Sequence, residues 1–207
     1  LGMAMLMVMV IGGLWFLAGA PVRHLVIILV LGASVLITVA FYNANAWNRI
    51  RTFWNPAEAS PASRYQIEQS RIAITNGGLW GVGLGDGQQK MHFLPAPHTD
   101  FIFAVMAEEL GLIFTLVVLA AYGALFVLGF LVALRTPDLF GTLLAGGVTL
   151  MMAAGVLVNI AVVTGSMPTT GLPLPLISYG GSSLISSMIG LGILLNISKN
   201  IGGVRKV

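Results

Sequence analysis

The sequence predicts an all-α, polytopic bundle of membrane-spanning helices, and three observations predict it. First, only 8% of the 207 residues are charged, 57% are hydrophobic, and mean hydropathy is +0.94. A soluble domain carries roughly 25% charge, so this chain has too little to coat a water-facing surface. Second, apolar runs of about the 20 residues needed to cross a bilayer recur along the chain, at 1–20, 25–42, 101–134, 140–164 and 172–197. Third, one long polar stretch, 43–98, separates the first two from the last three. The chain therefore reads as one membrane domain, 1–207, with five spans and one large loop.

The run 1–20 is free of charge and ends at Arg23 and His24. Residue 1 is Leu and no basic segment precedes the run, which reads as the interior of a longer protein and not as a signal peptide. The run 101–134 is too long for one simple span. At 1.5 Å per residue it would reach roughly 50 Å, against a hydrocarbon core of about 30 Å. Its first part, with Glu108 and Glu109, is expected at the interface or against protein. The last run is expected to open at Pro173 and Pro175, since a helix entrance tolerates the missing N–H.

Five spans place Arg23, Arg135, Lys199, Arg205 and Lys206 on one face, while the turn near Met167 and Pro168 has no Lys or Arg. The positive-inside rule makes the first face cytoplasmic. The loop 43–98, with Arg49, Arg51, Arg64, Arg71 and Lys90, then faces outward, as does Asp100. Loops beyond about 15 residues are usually functional or disordered. Ser63 and Gln66 read as a capping box opening a short helix through YQIEQSRIAI. The following GGLWGVGLGDGQQK has glycine at 77, 78, 81, 83, 85 and 87. It lacks the G-x-G-x-x-G spacing, and reads as a tight turn over the membrane surface or a holder for a substrate head group. Trp54 and Trp80 suit interfacial anchoring.

Several chemistries are disfavoured. Without cysteine there is no disulfide, thiolate metal site or Cys nucleophile. The net charge of +3 comes with no basic helix or aromatic-basic array for nucleic acid. His24, His92 and His98 lack companions at zinc-ligand spacing. Ser178, Ser182 and Ser183 lack a spaced base and no G-x-S-x-G elbow occurs. Ser182, Ser186 and Gly190 form a small-residue stripe that lets another helix approach, while SYGG at 178–181 sits at the outward mouth, where it can line a cavity.

Ionisable residues at membrane depth are costly and mark function by default. Asp100 has three readings: a helix N-cap, a partner of a loop Arg, or a catalytic base or cation ligand. A two-carboxylate glycosidase needs its acids about 5–9.5 Å apart. On one straight helix Asp100 and Glu108 differ by about 12 Å in rise and roughly 80° in direction. Asp100 would therefore act alone or with a loop residue, and Glu108 and Glu109 would pair with backbone or partner helices. A hard cation shared by Asp100 and a pyrophosphate is chemically reasonable.

Two stretches, LPAPHTDFIFAVMAEELG and MPTTGLPLPLISYGGSSL, resemble the signatures of the SEDS proteins, the FtsW/RodA/SpoVE family. FWNP, YQIEQS and GLWGVGLGDGQQK match in the expected order, so the resemblance spans nearly the whole chain. QQK and PLISYGGSS lean towards its division branch, FtsW, over its elongation branch, RodA. The resemblance implies a ten-helix bacterial inner-membrane protein of which this chain covers helices six to ten, with Leu1-Gly2 matching the end of a PDLG motif. It implies a peptidoglycan glycosyltransferase that polymerises lipid II, an undecaprenyl-pyrophosphate-linked substrate, at the outer face of the membrane, with placement at the septum. Its expected partners are a class B penicillin-binding protein and other division proteins. The family's essential aspartate corresponds to Asp100, as general base or as ligand of a divalent cation, Mg²⁺ or Mn²⁺. Lys90, Arg71 and Arg64 become candidates for the pyrophosphate. His98, Thr99, Ser178, Tyr179, Gly180 and Gly181 would shape the pocket. One departure is Ala96, where the family commonly has Glu. Rival readings are a lipid II flippase, a RodA-like elongation polymerase, and a non-catalytic division scaffold.

Overall fold

The computed structural model describes residues 2–55, 61–89 and 99–203, and the regular structure among them is helical. The helices are α1 (Gly2–Leu17), α2 (Val22–Tyr42), α3 (Ala44–Trp54), α4 (Pro61–Gly77), α5 (Ile102–Arg135), α6 (Leu139–Val163) and α7 (Gly181–Gly203). Among the described residues, α2, α5, α6 and α7 are long and apolar enough to cross a membrane. The fifth expected span, α1, is apolar but has 16 residues, about 24 Å of helix.

Helix α6 is the centre of the bundle, and most of its span is buried by its neighbours. It packs on α1, with Leu17 and Leu14 lying over Gly146 and Gly147. It packs on α5, where Thr149 sits so close to Gly129 that a Cβ there would fall 2.4 Å from its Oγ1. Such small-residue contacts let membrane helices approach closely. By contrast α2 is almost wholly exposed, its Val, Ile and Leu side chains forming an apolar face suited to lipid. Two ends of the bundle can be told apart. Thr136 and Asp138, between α5 and α6, share a cavity with Asn196 and Ile201 near the end of α7. At the opposite end Gly2 meets Thr170, and Arg49 and Arg71 reach the 164–169 turn.

The long run is not one simple span, as its length implied: Gly111 is non-helical (φ 77°, ψ 177°) and divides α5 into 102–110 and 112–135. The second piece, about 36 Å long, is the span, and the first lies against α4 and the glycine-rich loop. Two other expectations need correction. The last span begins at Gly181, not at residue 172. Pro173 and Pro175 bias the residues before them towards extended backbone, and Leu176 takes a left-handed φ of 68°. Residues 172–180 thus form an irregular inner strap, with Leu174 fully buried and the Tyr122 hydroxyl donating to the Pro175 carbonyl. Finally, loop 43–98 contains two helices. Helix α4 starts at Pro61, so Ser63 lies inside it and is no cap, while Pro suits the first turn. The amphipathic α3 was not expected at all.

Candidate active site

Asp100 lies in the turn 99–101 that leads into α5, half-buried. It does not cap the helix: the cap position is Phe101 and no side chain bonds there. Its carboxylate instead faces the strap, where a Cβ on Gly171 would lie 3.6 Å from Oδ2. Burial raises its carboxyl pKa above the ordinary carboxylate value, against the smaller opposing pulls of a Thr99 hydrogen bond and the Arg49 charge. Arg49 comes from α3, and its guanidinium donates to the Thr169 carbonyl at 3.1 Å. A loop arginine therefore does act on Asp100, through charge.

The backbone around Asp100 is held by two buried side chains. Ser178 Oγ donates to the Thr99 carbonyl at 2.6 Å and accepts from the Leu174 N–H at 2.7 Å. Asn159 Nδ2, from α6, donates to the carbonyls of Asp100 (2.9 Å) and Leu172 (2.7 Å). The strap and the turn are thus tied together through main-chain carbonyls, leaving the Asp100 carboxylate outside these bonds.

The other expected site residues distribute unevenly. Thr99 is beside Asp100. Ser178 is buried and committed to the frame, Tyr179 is 82% exposed, and Gly180 and Gly181 lead into α7. Next to the strap lies an apolar groove of about 530 Å³ between α1 and α7. Met3, Met7, Pro173, Pro175, Ser182 and Ser186 contribute to its lining, so Ser182 and Ser186 border open space where the stripe had suggested a packed helix. Arg64 and Arg71 line a separate pocket of about 370 Å³ with Phe53 and Glu68. Arg71 donates at 3.4 Å to the carbonyls of Thr164 and Gly165 at the end of α6, the end that attracts cations. Neither arginine is brought to Asp100. Lys90 and His98, with His92 and Ala96, lie outside the described residues. Among the described residues no three His, Cys, Asp or Glu side chains gather as a metal site. With one carboxylate at Asp100, a hard cation there would take its other ligands from substrate oxygens or water.

One residue of this site escaped the sequence reading, and another was named only among the loop arginines. Asn159 is the lone amide in the apolar stretch AAGVLVNIAVV, a polar residue at membrane depth and so a signal in itself. Arg49 sits in ANAWNRIRTFW, where Trp47, Ile50 and Trp54 recur at helical spacing.

Glu108 and Glu109 pair with backbone, as expected. Glu108 is fully buried and accepts from the N–H groups of Gln88 and Gln89 at 3.2–3.4 Å. Glu109 accepts from the Gly85 N–H at 3.1 Å. The glycine-rich loop therefore cradles the chain's own carboxylates at these N–H groups. Glu108→Gln leaves one acceptor oxygen and turns an amide NH₂ towards backbone donors. It is expected to destabilise the protein by about 1–3 kcal/mol, read as a lower thermal midpoint in detergent, and an unchanged midpoint would refute the clasp.

A family model described as "Cell cycle protein", that of FtsW, RodA and SpoVE, matches residues 1–202. Stage V sporulation protein E of Bacillus subtilis is 43% identical over 89% of this chain and 50% of its own length. The probable peptidoglycan glycosyltransferase FtsW of Geobacter metallireducens is 45% identical over 91% of this chain and 50% of its own. The chain thus spans about half the length of these curated relatives. Among solved structures, a chain from a work on structural coordination of polymerization and crosslinking by a peptidoglycan synthase complex aligns with a TM-score of 0.74. It is 32% identical, covering 97% of this chain and 56% of that one. The rod shape determining protein RodA of Thermus thermophilus aligns at 0.59 with 31% identity, over 94% and 48%.

Proposed function

The chain belongs to the FtsW/RodA/SpoVE family of cell cycle proteins, and from that membership and the geometry around Asp100 we propose that it carries the reaction centre of a peptidoglycan glycosyltransferase. Its substrate is lipid II, polymerised into glycan strands at the outer face of the bacterial cytoplasmic membrane. The observation that carries the reading is a half-buried carboxylate in the turn before α5, with its main chain clamped by Ser178 and Asn159 and its side chain turned to Gly171, just before the strap.

Polymerisation joins a sugar hydroxyl to an anomeric carbon and expels a lipid pyrophosphate. Asp100 takes the hydroxyl proton, a role its raised pKa favours by making the carboxylate a stronger base. The Arg49 charge favours the ionised form, more weakly than burial opposes it. In the alternative role Asp100 would hold a divalent cation, Mg²⁺ or Mn²⁺, near the pyrophosphate, and the cation would neutralise charge on the leaving group. Lys90 and His98 remain candidates for that end of the substrate, whereas Arg71 is engaged with α6. The groove between α1 and α7 opens along the apolar surface beside the strap and suits a polyprenyl tail. A class B penicillin-binding protein is the partner, and the septum the place of action.

The polymerase is favoured over the flippase because Glu108 and Glu109, the other acids of this apolar run, accept hydrogen bonds from the loop backbone. The test is purified lipid II with the full-length protein and its penicillin-binding partner. Glycan strands are expected; transfer of lipid II between leaflets without strands would establish the flippase instead. Arg49→Ala supplies a second check. Loss of its positive charge raises the Asp100 pKa further, so the acid limb of the pH–rate profile moves to higher pH. An unmoved limb would separate Arg49 from Asp100.

A further inference from the structure

Asn159 is 1% exposed, deep among apolar side chains near the outer end of α6. Both carbonyls on its Nδ2 are long-range partners, 59 residues back at Asp100 and 13 ahead at Leu172. These two acceptors fix which way the amide points, and they leave Oδ1 buried without a hydrogen-bond partner among the described residues. An orphaned buried acceptor is a cost, one that an apolar side chain of the same shape would not incur. Packing alone therefore does not account for an amide here. Its N–H groups are what the site uses.

We infer that Asn159 is a positioning residue for Asp100, with Ser178 as the second arm of a clamp on the Thr99–Asp100 main chain. The inference rests on Asp100 being the base. Ser178 holds the Thr99 carbonyl and Asn159 the next one along. Consecutive carbonyls pinned from α6 and from the strap fix the direction of the Asp100 side chain without consuming its carboxylate. The same two residues bind the strap at Leu172 and Leu174, so the acid and the wall it faces are set by one pair of side chains. A displacement of about 1 Å at a reacting group can cost on the order of 10²-fold in rate.

The experiment measures kcat and KM for lipid II with the full-length polypeptide and its penicillin-binding partner, for wild type, Asn159→Leu, Ser178→Ala and Asp100→Asn, with thermal midpoints of all four. The expected result for Asn159→Leu is a kcat lowered about 10²-fold with KM unchanged. A kcat per folded molecule equal to wild type, with only the amount of folded protein reduced, would overturn the inference and leave Asn159 as a packing residue. If Asn159→Leu does not fold, Ser178→Ala decides by the same split, because it deletes one hydroxyl and nothing else. Asp100→Asn at wild-type rate would bring down the base assignment itself, an outcome separate from either clamp result.

Discussion

Glycan-strand synthesis is expected to fall by about 10²–10⁴-fold when Asp100 becomes Asn, the range for losing a positioned general base. Asn has the shape of Asp and cannot accept the hydroxyl proton. The fold should survive, because the clamp on this turn acts through the carbonyls of residues 99 and 100. Stability points the same way. Burial raises the Asp100 pKa, so the folded state binds the proton more tightly than the unfolded chain. Folding stability from this group is therefore greatest at low pH and declines as pH rises from the unfolded value, 3.8, through the raised folded value. Asn removes the desolvated charge, so at neutral pH its thermal midpoint should equal or exceed that of wild type. For the wild type, the rate should decline on acidification through a pKa raised from the ordinary carboxylate value. Assays of strand length across pH, beside thermal melts, read both effects. Strand synthesis at the wild-type rate by the Asn variant would demote Asp100 to a bystander.

What was legible in the sequence was whatever a local window can carry. The composition and the apolar runs declare a membrane bundle, and 25–42 and 140–164 fall within a few residues of α2 and α6. The excess length of 101–134 signals a break without locating it, because the break at Gly111 is created by partners some 30 residues away in the glycine-rich loop. The start of α7 was misread for a similar reason. Pro173 and Pro175 look like a helix entrance, but the strap is held irregular by Tyr122, Asn159 and Ser178. Helix α3 was lost because its asparagines and arginines make the window look like loop, although its apolar residues keep helical spacing. At the site, Asp100 stood out as an acid beside an apolar run. Its neighbours did not, since Arg49 reaches Thr169 across 120 residues and Asn159 reaches Asp100 across 59. Charge alone pointed to Arg64 and Arg71, and charge alone does not say which end of a helix a guanidinium will find.

Gly111→Ala is expected to prevent accumulation of folded protein. At φ 77° and ψ 177° the residue occupies backbone space that is essentially reserved for glycine, a cost of about 1–3 kcal/mol for any other residue. The steric term is larger. A Cβ there would stand 2.3 Å from the Gly81 nitrogen and 2.6 Å from the Leu79 carbonyl oxygen. These are main-chain atoms and cannot rotate away. Nor can the loop retreat as a whole, because it completes the hydrogen bonding of the broken helix. The N–H groups of Leu112 and Ile113 donate to the carbonyls of Gly78 and Leu79, while those of Val82 and Gly83 donate to the carbonyls of Glu108 and Glu109. Moving the loop enough to admit a methyl group would strip these bonds and loosen the cradle around Glu108, leaving a buried carboxylate uncompensated. The sum exceeds about 4–5 kcal/mol, the range reached only by such overlapping mechanisms. Size-exclusion profiles and thermal melts in detergent read the outcome, with Gly123→Ala, where a Cβ meets nothing within 4 Å, as the matched control. Equal yields and midpoints for the two variants would mean that the loop and the helix break are not locked together, and the first turns of α5 would lose their anchor as the platform that carries Asp100.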